Sequence, residues 1–95
     1  MGPSPNWRVP PDSVFHWREW DAEYVVYHEN SGDTHRLNAV GARTLKCLID
    51  RPMAVPELTG RVADELGLAR SAEFSATIDD LLARLRDLGL IEPAH

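Results

Sequence analysis

At Asn38 the hydrophobic pattern changes its period, and that change sets the order of the parts. Upstream of it, Phe15 and Trp17 alternate with His16 and Arg18. This period of two marks a half-buried strand over Val14–Trp20. Asp21-Ala22 is a turn, and Glu23-Tyr24-Val25-Val26-Tyr27-His28 is a second strand rich in β-favouring residues. Asn30-Ser31-Gly32-Asp33 is a second turn, because Gly32 accepts φ > 0 and its polar neighbours can bond locally. Thr34-His35-Arg36-Leu37 then pairs back as a third strand. The result is a three-stranded antiparallel meander.

Downstream of Asn38 the apolar residues recur every three or four positions. Asn38 is a natural N-cap for a first helix over about Ala39–Asp50, with Pro52 just beyond it. Ala42, Leu45, Leu48 and Ile49 form one apolar stripe, and Val40, Thr44 and Cys47 a second one opposite. A helix apolar on both sides lies between two layers. The second helix starts near Pro56 and buries Leu58, Val62 and Leu66. Gly67 ends it, with Leu68 folding back in a Schellman motif. The third runs from about Ser71 to Leu88 and carries Phe74, Ile78, Leu81, Leu85 and Leu88 as one stripe. Leu82 lies to the side, with Ser75, Asp79 and Arg86. Strands followed by helices with short connections predict an α+β, winged-helix-like domain over residues 13–92. Residues 1–12, with four prolines, read as an extended arm anchored by Trp7 and Val9.

Ninety-five residues support a single core. The net charge of -5 argues against general nucleic-acid binding and against adhesion to anionic membranes. No apolar run is long enough to span a bilayer. The N-terminus shows no signal-peptide pattern, and the lone Cys47 permits no intrachain disulfide, so the expected setting is a reducing cytoplasm.

Candidate chemistry is sparse. His16, His28 and His35 stand on separate strands and would need to converge to hold a metal. Cys47 shares a helix stripe with Val40 and Thr44, which favours packing over nucleophilic chemistry. The tryptophans fit the sheet face and the arm better than base stacking. Asp79 and Asp80 point apart on a helix, and neither a Gly-rich phosphate loop nor a catalytic triad is present. An enzyme, a bound cofactor and a metal are therefore not expected.

The stretch Ser31-Gly32-Asp33-Thr34-His35-Arg36-Leu37-Asn38, followed by a helix and the Pro56-Glu57-Leu58 helix start, resembles PqqD-like proteins. The ending Leu85-Arg86-Asp87-Leu88-Gly89-Leu90-Ile91 fits the same family. Trp17-Arg18, Trp20 and the segment Ser31–His35 look most like the branch found beside a kinase-like protein related to HPr kinase. The family's proteins are peptide chaperones, or recognition elements, of pathways that modify ribosomally made peptides. The resemblance implies that the leader of a precursor peptide adds as a strand on the third strand, in a groove shared with the third helix. Thr34, His35, Arg36 and Leu37 would offer the edge, with Ile78, Asp79, Leu82 and Arg86 as the helical wall. The implied partners are a precursor peptide and a modifying or kinase-like enzyme, and an exposed edge admits either a monomer or a strand-swapped dimer. The competing reading is a winged-helix transcription regulator. It is weakened by acidic helices, since helix two offers Arg61 alone against Glu57, Asp64 and Glu65.

Overall fold

The structure is a computed structural model that describes residues 6–94. Its first layer is the expected meander: β2 (Phe15–Trp20), β3 (Glu23–His28) and β4 (Asp33–Leu37), in the order β2-β3-β4. The register sets Trp17 opposite Val26 and Val26 opposite His35. Alternation then turns Phe15, Trp17, Tyr24, Val26, His28, His35 and Leu37 towards the helices. Asp21 and Ala22 make the first turn with φ of 41° and 66°. Two consecutive residues at positive φ match the right-handed twist of the strands they join.

Three helices follow: α1 (Ala39–Asp50), α2 (Val55–Leu66) and α3 (Ala72–Asp87). Asn38 caps α1 as expected, its Oδ1 accepting from the Gly41 N–H at 2.8 Å. Ser71 caps α3 in the same way, accepting from Phe74 N–H at 3.1 Å. Helix α1 packs against the sheet on one side and α2 on the other. Leu45, Leu48, Thr44 and Cys47 are accordingly all buried. Gly67, at φ 68°, closes α2, and the Leu68 N–H donates to the Ala63 carbonyl at 2.8 Å. The backbone half of the Schellman motif is thus present, but the Leu68 side chain stays exposed instead of folding back. Ile49 is exposed as well, because it lies at the margin of its stripe in the last turn of α1.

The chain also forms a second sheet that the sequence did not announce. β1 (Asn6–Arg8) is its middle strand, paired antiparallel to β5 (Met53–Ala54) and β6 (Glu92–Ala94). The described part of the expected arm, from Asn6 onward, is therefore integrated in the fold; residues 1–5 lie outside the described residues. Arg8 donates from Nε to Glu92 across 2.7 Å and joins the two ends of the chain. Trp7 and Val9 pack against the core, as the arm reading required. Strands of two or three residues are too short to show a period, so only their long-range pairing reveals them.

Candidate functional site

Of the meander's two outer strands, β4 lies next to α1 and α3. Among the described residues it pairs only with β3, so its other edge is unpaired there. Antiparallel pairing uses the backbone groups of alternate residues, and the rest of each edge strand points outward. Where β4 runs into α1, a cleft opens against the outer side of α3. It is lined by Arg36, Leu37, Asn38 and Gly41 on one side, and by Leu81, Arg84, Leu85 and Leu88 on the other. The strand-to-helix junction is tight: a Cβ on Gly41 would stand 3.4 Å from both the Leu37 Cβ and the Asn38 Oδ1. The cleft holds about 90 Å³. That is room for a side chain, well below the roughly 300–1,000 Å³ of a small-molecule site.

The expected site residues divide into three groups. Arg36 and Leu37 line the cleft. Thr34 is exposed on the outer face of the sheet, and His35 is half-buried on the inner face with Nε2 enclosed and without a hydrogen-bond partner among the described residues. The expected helical wall, Ile78, Asp79, Leu82 and Arg86, does not line this cleft. Ile78 and Leu82 are 0% and 2% exposed and belong to the core. Asp79 is exposed away from the cleft, and Arg86 sits 3.6 Å from Asp87. On the helix side the cleft is lined by Leu81, Arg84, Leu85 and Leu88. These positions are spaced by three or four, so a signal was present: Arg84 shares a face with Leu81 and Leu88. The large apolar residues of α3 form one arc, and their spacing does not say which margin of it faces the core. Sequence reasoning assigned the wrong margin to solvent.

His16, His28 and His35 do not converge. His28 and His35 face the helices while His16 faces out, bonded through Nε2 to Glu29 at 2.8 Å. His28 stacks on Phe15 and meets the Ser31 hydroxyl at 3.0 Å. Among the described residues no three His, Cys, Asp or Glu side chains cluster to hold a metal ion. Cys47 is buried, and its thiol donates to Glu65 at 3.3 Å. Burial first, and then the Glu65 carboxylate, push its pKa up to about 11. At neutral pH it is a protonated packing residue, not a nucleophile. Trp17 and Tyr24 are occupied by Lys46, whose Nζ lies 4.8 and 5.5 Å from their ring centres. Trp20 remains exposed at the hairpin end. None of the described helices is long and apolar enough to cross a membrane.

These features define a small α+β domain with an open strand edge beside a helix-walled cleft. The family model described as coenzyme PQQ synthesis protein D (PqqD) matches residues 23–91, and the chain belongs to this family. The match spans β3 to the end of α3 and so contains the whole cleft. Among solved structures, the chain is similar in fold to one described as TbiB1 in complex with the TbiA(beta) leader peptide. The TM-score is 0.67 at 23% identity, covering 93% of this chain and 98% of that one. No curated protein matches the chain.

Proposed function

We propose that the protein is a non-catalytic peptide chaperone, which binds the leader of a ribosomally made precursor peptide and presents it to modifying enzymes. The leader adds as a fourth strand along the free edge of β4. Main-chain bonds give affinity with little dependence on sequence, and the cleft between β4 and α3 selects side chains. The observation that carries this reading is the open β4 edge, which ends in an apolar cleft sized for a side chain. Family membership supports it, as does the fold shared with a protein whose solved complex contains a leader peptide. The resemblance of Trp17-Arg18, Trp20 and Ser31–His35 to one branch supports a kinase-like protein related to HPr kinase as the enzyme partner, and the lone Cys47 fits a cytoplasmic setting.

The regulator reading fares worse. Arg61, the cation of α2, is engaged with Asp50 at 3.7 Å and Glu65 at 3.6 Å. It is poorly placed to contact phosphates.

The test is an NMR titration with the leader of a short peptide encoded beside this gene. Amides of Thr34–Leu37 should shift, and alternate ones should gain protection from exchange, while β2 responds little. Shifts confined to α2 would overturn strand addition. The same sample, followed by sedimentation, separates a monomer with its peptide from a dimer that swaps β4.

A further inference from the structure

We infer that the cleft reads an acidic–apolar pair on the bound peptide, with a carboxylate between Arg36 and Arg84 and an apolar side chain against Leu37, Leu81 and Leu88. This rests on the peptide-binding reading above and names the side chains that reading left open.

The charge distribution carries the inference. The chain has ten Lys and Arg against fifteen Asp and Glu, so acidic partners are in excess. Most of the cations have one within 4 Å. Arg8 meets Glu92, Arg43 meets Glu65, Arg51 meets Glu57, and Arg70 meets Asp64. Arg61 and Arg86 are also paired, and Lys46 rests on two aromatic rings. Among the described residues only Arg18, Arg36 and Arg84 have neither an acidic nor an aromatic partner, and two of these three line the cleft. No carboxylate lines it with them. A protein with a net charge of -5 thus lines one apolar recess with two arginines that have no acidic partner among the described residues. Guanidinium forks suit carboxylates, and complementary charge at a groove fixes the register of a partner. An added strand gives main-chain bonds at every second residue and cannot by itself define register. The arginine pair with its neighbouring leucines supplies that definition.

The probe is a phage-displayed library of random 12-residue peptides, selected on the full chain. Enriched peptides should carry Asp or Glu within two positions of an aliphatic or aromatic residue. They should shift the β4 amides. A synthetic peptide from that set should lose about tenfold in affinity on Arg84→Glu, and on Arg36→Glu, as expected for a charge-assisted contact in a half-enclosed cleft. Its Glu→Lys counterpart should recover the loss on the Arg84→Glu protein, and affinity should fall with added salt. Arg84 is exposed, so the variant's fold can be verified from an unchanged spectrum outside the cleft. Peptides that shift the β4 amides but show neither acidic enrichment nor the charge-swap recovery would overturn this inference and leave the peptide-binding reading standing. If no selected peptide shifts β4, both fall.

Discussion

Leu81 and Leu82 are neighbours on α3 with different duties: Leu82 is sealed in the core at 2% exposure, while Leu81 lines the cleft beside Leu37. They lie about 100° apart around the helix. That rotation separates what holds the domain together from what it offers to a ligand.

Leu82→Asp should therefore unfold or severely weaken the domain, because it buries a carboxylate without a partner. The cost should be at least ~3 kcal/mol. Leu88 also lines the cleft but is 40% exposed. Leu88→Asp should cost less than about 1 kcal/mol and act on leader binding instead. Urea denaturation of both variants, with binding measured on the folded one, checks the assignment. A Leu82→Asp protein as stable as the parent would contradict the placement of the core.

Cys47 makes the alkaline limb of the stability curve specific. Its thiol pKa rises from the ordinary 9.0 to about 11 in the folded chain, through burial and the Glu65 carboxylate. A raised folded-state pKa gives a contribution that is complete below pH 9 and is lost as pH climbs through 11. The loss is of the order of 2 kcal/mol. Cys47→Ala should remove that part of the decline between pH 8 and pH 11, as followed by urea midpoints. Alkylation of native Cys47 at pH 8 should be slow for the same reason. An equal decline in parent and variant would show that other groups account for it.

The β2–β3 turn has room for improvement. Ala22 holds φ 66°, a left-handed conformation that costs a residue with a Cβ roughly 1–2 kcal/mol. Ala22→Gly removes that cost and adds some unfolded-state entropy. We expect a net gain of about 0.5–1 kcal/mol, or roughly 2–8 °C in Tm. A lower Tm would mean that the Ala22 methyl makes packing contacts worth more than the backbone relief.

Local chemistry made much of the fold legible. Period-two alternation around Trp17 gave β2, the Asn38 side chain marked the first residue before α1, and Gly67 marked the end of α2. Each is decided by a handful of adjacent residues, so each can be read without knowing the partner elements. The cleft was only half legible. Arg36 and Leu37 followed from the strand-to-helix junction, but Arg84 and Leu88 did not, because Ile78, Leu81, Leu82, Leu85 and Leu88 form one continuous arc whose spacing does not say which margin the core covers.

What the sequence determined by itself is therefore the set of elements, their order and their caps, since φ preferences and side-chain periods act over a few residues. The tertiary structure alone decided three things: the sheet that pairs Asn6–Arg8 with Glu92–Ala94, the burial of Leu82 instead of Leu88, and the placing of Arg36 and Arg84 on one cleft. All three depend on which surfaces are brought together by contacts between residues far apart in the chain. Which margin of a helix's apolar arc is buried is a property of its neighbours, which no local pattern encodes.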